Sequence, residues 1–150
     1  MADLVFKNNP KFQCQGIPDS VKMNQLQSLI HDALIGTDNV QNCAIIRRKE
    51  AVLKASSVGF NLYEEQIQMF IEAFKNTPQI REEGMYYEDK QYECVRADSS
   101  SIYLKHEQQG IVLVKTGTLV IVSTYSESMK PSICVEATEK LGDYFRQKDK

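Results

Sequence analysis

Between residues 85 and 124 the chain breaks into five short runs of β-favouring residues, and no other feature limits its possible folds as much. The runs cover 85–87, 92–97, 102–105, 111–115 and 119–124, separated by polar or glycine-bearing turns such as the Glu-Gln-Gln-Gly stretch after His106. Strands this close together pair antiparallel with their sequence neighbours, because a parallel pair needs a crossover of a dozen or more residues. The expectation is an antiparallel meander whose apolar side must be covered by something else.

The flanking segments supply the cover. Leu26, Leu29, Ile30, Ala33 and Leu34 recur at three- and four-residue spacing, which places them on one face of a helix that Gly36 stops. Two β-like runs, 43–47 and 51–56, follow with Arg48-Lys49-Glu50 between them and read as a hairpin. Asn61 with Glu64 resembles a capping box, and Ile67, Phe70, Ile71 and Phe74 continue it as a second helix ended at Asn76-Thr77-Pro78. After the meander, Pro131 opens a last helix with Cys134, Ala137, Thr138, Leu141 and Phe145 on one face. The order helix, hairpin, helix, meander, helix defines an α+β protein. The 150 residues suit one such domain. Residues 1–22 show neither periodicity and are rich in Asn, Gln, Lys, Pro and Gly, so they read as a flexible N-terminal extension before a domain over 23–150.

Charge and motifs exclude several functions. A net charge of −2 lacks the basic excess that duplex binding requires, so nucleic acid is not an expected partner. No run approaches the roughly 18 apolar residues of a membrane span, and the N-terminus has no apolar core of a signal peptide. Cys14, Cys43, Cys94 and Cys134 form no C-x-x-C pair and stand at no metal-ligand spacing from His31 or His106. Four reduced thiols in a cytoplasmic protein without metal or cofactor are expected. Lys115-Thr116-Gly117-Thr118 lacks the upstream glycine of a phosphate-binding loop, and no G-x-S-x-G or G-x-G-x-x-G occurs. Glu64-Glu65 and Glu82-Glu83 are sequence neighbours whose side chains need not converge. The chain reads as a binding protein and not as an enzyme.

Basic residues are the remaining signal. Arg47, Arg48 and Lys49 cluster at the first hairpin, and Arg96, Lys105 and Lys115 fall on successive strands of the meander, where lateral alignment is expected. Lys140, Arg146, Lys148 and Lys150 crowd the last helix. Near an anionic bilayer each such side chain contributes about 1 kcal/mol.

From Met23 onward the chain resembles the profilin family. The resemblance is carried by Gln25-Leu-Gln-Ser-Leu-Ile-His-Asp-Ala-Leu34, by Ala55-Ser-Ser with Gly59-Phe60, and by Tyr92-Glu-Cys-Val-Arg-Ala-Asp98. Val114-Lys-Thr-Gly117 and Cys134-Val-Glu-Ala-Thr-Glu-Lys-Leu-Gly-Asp-Tyr-Phe145 complete it. Within the family it is most similar to the divergent fourth-isoform, testis-associated branch. The resemblance implies a central antiparallel sheet with N- and C-terminal helices on one face and a further helix on the other. It also implies three kinds of partner: monomeric actin, proline-rich peptides and phosphoinositides.

Each implied site reads differently here. Leu26, Leu29 and Leu53 stand where the family offers aromatics to a polyproline helix, leaving Tyr144, so strong polyproline binding is not expected. Arg96, Lys105 and Glu139 occupy actin-contact positions, but Ser132 to Val135 replace a glycine- and asparagine-bearing turn, so actin binding is expected to be weak. Arg47, Arg48, Arg96, Lys105 and Lys115 are the candidates for acidic phospholipid. The leading expectation is an actin-cytoskeleton regulator that keeps its lipid contact. The alternatives are a conventional actin-monomer-binding profilin and a scaffold holding an apolar partner helix in the leucine-lined former groove.

Overall fold

The computed structural model describes residues 19–57, 60 and 62–148. The expected extension over 1–22 therefore lies almost wholly outside the described residues. Where its end is described, it differs from expectation: helix α1 spans Asp19–Ala33 and begins four residues before Met23. Asp and Ser, the residue types at 19 and 20, favour helix starts over helix interiors, so the apolar period alone sets the boundary too late. A 3₁₀ turn, Ile35–Thr37, follows, and Asp38 closes it in the left-handed region at φ 63°.

Seven strands form one antiparallel sheet: β1 Asn42–Arg47, β2 Val52–Ser56, β3 Met85–Tyr87, β4 Lys90–Ala97, β5 Ser101–His106, β6 Gln109–Lys115 and β7 Leu119–Tyr125. Their spatial order is β2-β1-β7-β6-β5-β4-β3. The meander is present as expected, and β7 closes it onto the N-terminal hairpin through the six pairs from Asn42↔Thr124 to Arg47↔Leu119. Two bulges interrupt the ladders. Lys54 is the extra residue of β2, between Leu53 and Ala55, and Val95 is that of β4, between Cys94 and Arg96.

Helix α2, Glu64–Ala73, starts later than the sequence suggested, with Tyr63 at its N-cap and Gln66 Oε1 accepting the Tyr63 N–H at 3.0 Å. Asn61, the expected cap, lies outside the described residues. A short helix α3, Thr77–Glu83, was not expected. Pro78 there opens a new helix as well as ending the previous one, since a proline in the first turn loses no hydrogen bond. Gly84 ends it at φ 73°, where a Cβ would come within 2.0 Å of the Tyr92 carbonyl oxygen, so only glycine fits. Helix α4 runs Pro131–Lys148.

Alternation along the strands splits the interior into two cores. On one face, Cys43, Ile45, Val112, Val114 and Ile121 pack beneath α1 and α4 through Leu29, Ile30, Leu34, Cys134 and Leu141. On the other, Ala44, Ile46, Ile102, Leu104, Leu113 and Val122 pack against α2 through Ile67, Phe70 and Ile71. The buried hydroxyls of Thr138 on α4 and Ser123 on β7 meet at 2.8 Å, which ties helix to sheet where neither group reaches water. Cys43, Cys94 and Cys134 are free thiols, and burial raises the first and last to about 12. No helix of the described residues is long and apolar enough to cross a membrane.

Candidate functional site

Two side chains expected to share a surface, Arg96 and Glu139, meet beside α4 through Tyr103. Arg96 on β4 is the cross-strand partner of Tyr103 on β5, and its guanidinium lies 5.6 Å from the centre of that ring. It also reaches Asp98, with Nη2 2.9 Å and Nε 3.0 Å from Oδ2. Asp98 is fixed in turn, because its Oδ1 accepts the backbone N–H groups of Ser100 and Ser101, each at 2.8 Å. These backbone bonds, with the Arg96 charge, hold the Asp98 carboxyl below its ordinary value against the opposing effect of burial.

From the helix side, Glu139 Oε2 accepts the Ser101 hydroxyl at 2.7 Å and the Tyr103 hydroxyl as well. Burial and then the Glu139 carboxylate push the Tyr103 phenol up to about 12. Lys105, opposite Glu93, continues the row on β5. Ser132, the second residue of α4, is exposed, and Val135 is half-buried against the core. Arg96 and Glu139 are thus joined through Tyr103 on the face of β4 and β5 beside α4, and Lys105 follows two residues further along β5. Tyr103, which links Arg96 to Glu139, was missed by sequence reasoning. Its signal was the alternation of β5, which puts it between Ser101 and Lys105.

The former polyproline positions do not form one groove. Leu29 is 1% exposed and belongs to the core, while Leu26 and Tyr144 are half-buried beside it. Leu53 packs with the α2-side core, on the opposite face of the sheet, because the Lys54 bulge pairs Leu53 with Ile46 and Ala55 with Ile45. Tyr144 presents the one aromatic ring of the set, 5.3 Å from Phe145 and 5.6 Å from Lys148 Nζ. The leucine-lined groove expected for an apolar partner helix is corrected on the same grounds.

The five phospholipid candidates also divide. Lys105 shares the α4 face, whereas Lys115 alternates onto the α2 face and lies five register steps away along β6, about 17 Å at strand spacing. The expected lateral alignment of Arg96, Lys105 and Lys115 fails for this reason. Lys115 instead joins the hairpin basics at one end of the sheet. Arg48 Nη1 donates to the carbonyls of Thr116 (2.8 Å) and Gly117 (2.9 Å), and Arg47 Nε lies 3.7 Å from Glu50. Lys115 Nζ sits 5.7 Å from the Phe74 ring centre, and its pKa is lowered first by burial and then by Arg48. Arg146 on α4 reaches the same end through the Lys115 carbonyl, at 3.0 Å.

The histidines take structural positions. His31 is exposed beside Asp32 at 3.5 Å, and His106 lies against Tyr92 with Nδ1 3.1 Å from the Gln91 carbonyl. No group of three potential metal ligands occurs among the described residues.

This sheet order, with terminal helices on one face and α2 on the other, is shared with known proteins. The family model described as Profilin matches residues 24–150. Profilin-4 of Bos taurus is 46% identical over 127 residues, spanning 84% of this chain and 98% of that protein, and Profilin-4 of Mus musculus is 44% identical over the same length. Among solved structures, profilin II of Acanthamoeba castellanii superposes with a TM-score of 0.75 at 30% identity, covering 83% of this chain and 98% of its own. The chain belongs to the profilin family, whose members regulate actin.

Proposed function

We propose that this chain regulates the actin cytoskeleton by presenting the α4–β5–β4 face to monomeric actin, with affinity weakened by the commitments its charges already have. The observation that carries this reading is the closed network on that face. Arg96 is engaged by Asp98 and Tyr103, and Glu139 by Ser101 and Tyr103. A charge that must leave one partner to meet another returns less free energy on binding than one that waits in solvent. Sedimentation velocity with monomeric actin at low salt tests it. A complex in the micromolar range, abolished by Glu139→Lys, is expected; a nanomolar complex overturns the weakening, and no complex overturns the actin reading.

Loss of polyproline binding belongs to the same proposal. A polyproline helix docks on several flat aromatic faces, and losing one anchor typically costs about 2 kcal/mol. With Leu29 in the core and Leu53 on the other face, Tyr144 stands without the family's companions. A proline-rich peptide is expected to leave the Tyr144 resonances unmoved.

A second surface is favoured for acidic phospholipid. Arg47, Arg48, Lys49, Lys115 and Arg146 gather at one end of the sheet, where the nearby acids are Glu50 and Asp143. Vesicles carrying a phosphoinositide are expected to lose this protein on Arg47→Glu with Lys49→Glu and to keep it on Arg96→Glu with Lys105→Glu. The reverse result assigns the lipid to the actin face.

A further inference from the structure

Three turns meet at the basic end of the sheet. The β4–β5 turn runs over 98–100, and the Ser100 carbonyl accepts the Lys115 N–H at 2.7 Å where β6 ends. Next along the chain, Thr116 and Gly117 open the β6–β7 turn, and their carbonyls accept Arg48 of the β1–β2 turn. Arg146 of α4 closes the group on the Lys115 carbonyl at 3.0 Å. The serine-bearing turn therefore abuts the surface assigned above to acidic phospholipid. Charges on neighbouring turns interact over the Debye length, about 8 Å at physiological salt.

The serines that follow Asp98 are not equivalent. Ser101 is 3% exposed and donates its hydroxyl to Glu139. Ser100 is exposed, but its backbone is held on both sides, the N–H by Asp98 Oδ1 and the carbonyl by Lys115. Ser99 is exposed at the tip, and no hydrogen bond, ion pair or ring contact holds it among the described residues. The sequence marks the same residue. Of the five arginines, Arg47, Arg48, Arg81, Arg96 and Arg146, only Arg96 has a hydroxyl residue three positions later. An arginine at that distance is a charge pattern by which basophilic serine kinases recognise a substrate. Arg96 is available to be read, because its pair with Asp98 is 59% and 39% exposed and exposed ion pairs are held weakly. Asp98 itself turns a carboxylate oxygen inward onto the N–H groups of Ser100 and Ser101.

We propose that Ser99 is a phosphorylation site for a basophilic serine kinase, and that the phosphate switches off the basic end of the sheet. The switch rests on the phospholipid reading of that end. In the kinase, Ser99 Oγ attacks the γ-phosphorus of ATP; the new O–P bond forms as the bond to ADP breaks, and the hydroxyl proton passes to the kinase's catalytic aspartate. The product carries a charge of about −2 at neutral pH. Arg47, Arg48, Lys49, Lys115 and Arg146 are already offset in part by Glu50 and Asp143, so the phosphate removes most of the remaining positive excess. Basic side chains contribute similar increments near an anionic bilayer, and cancelling two of them lowers affinity roughly 30-fold.

The test incubates the full chain with magnesium-ATP and an activated calmodulin-dependent serine kinase, then reads the modified residue and its stoichiometry by mass spectrometry. One phosphate per chain on Ser99 is expected. It should be absent in Ser99→Ala and formed roughly 10-fold more slowly or less in Arg96→Gln, the range of one lost charged contact. The phosphorylated chain should bind phosphoinositide vesicles roughly 30-fold more weakly than the unmodified chain at equal salt, and Ser99→Ala treated with kinase should bind as the unmodified chain does. Phosphate on another residue, or on none, overturns the site. Phosphate on Ser99 with unchanged vesicle binding overturns the switch. Failure of the unmodified chain to bind vesicles overturns the phospholipid reading and the switch with it, while the mass measurement still decides the site.

Discussion

The two faces of this sheet treat their polar groups in opposite ways. Beneath α4 every polar group described is closed on another: Ser123 on Thr138, Ser101 and Tyr103 on Glu139, Arg96 on Asp98. Beneath the start of α2, Tyr92 is as buried as the apolar residues around it, yet its hydroxyl opens into a cavity. The first arrangement fixes a helix on a sheet and sets the geometry of an exposed face. The second leaves the Tyr92 hydroxyl at the wall of an open cavity, where solvent reaches it. Polar residues of similar burial thus differ in whether the protein or the solvent completes their hydrogen bonds.

Equilibrium urea unfolding can break or sharpen this contrast. Glu139→Ala strips the acceptor from two hydroxyls and should cost about 2–3 kcal/mol, the largest effect expected; a loss under about 0.5 kcal/mol shows that the face is not closed as described. Thr138→Val removes the partner of Ser123, itself fully buried, and should cost about 1–2 kcal/mol. Glu88→Gly relieves a left-handed residue and should stabilise by about 0.5–1 kcal/mol while emptying the cavity mouth of its carboxylate. Tyr92→Phe should fall within about 0.5 kcal/mol of zero, against about 1 kcal/mol lost in Tyr103→Phe. Equal costs for the two tyrosines abolish the distinction between the faces.

The smallest effect is one of pH. Because the folded Asp98 carboxyl lies below its unfolded value, folding is favoured wherever Asp98 is ionised in both states. Its contribution is complete above the unfolded pKa, about 4, and is lost as pH falls through the lower folded value. Wild type and Asp98→Asn should therefore diverge in urea midpoint near neutrality and converge below that window.

Sequence pattern carried the architecture and lost its details at particular residues. The meander and the last helix were legible because period-two and period-3.6 apolar spacing are properties of a single face. Helix α3 was not, since seven residues with one proline give too little periodicity and the proline reads equally as a stop. The site was legible in part. Arg96 and Glu139 meet through Tyr103, but two bulges moved what counting alone would align. Val95 is the extra residue before Arg96, and Lys54 sends Leu53 to the wrong face for a groove. A bulge shifts alternation by one residue and leaves little trace in composition. The cavity at Tyr92 was invisible for another reason: it is assembled from five strands and a turn, and no linear spacing records it.

The strand order has a consequence for how the chain is made. Strands β3 to β7 each pair with a neighbour in sequence, so that half can zip up locally, whereas β1 finds its second partner only in β7, 77 residues from Asn42 to Leu119. During synthesis the N-terminal hairpin emerges first and waits with an open edge until nearly the whole polypeptide has left the ribosome. Its outer strand is five residues long and carries a bulged lysine, features that discourage pairing with a stranger. Because β2 stays at the edge of the finished sheet, Lys54 makes that strand a poor template in the nascent chain and in the folded protein alike.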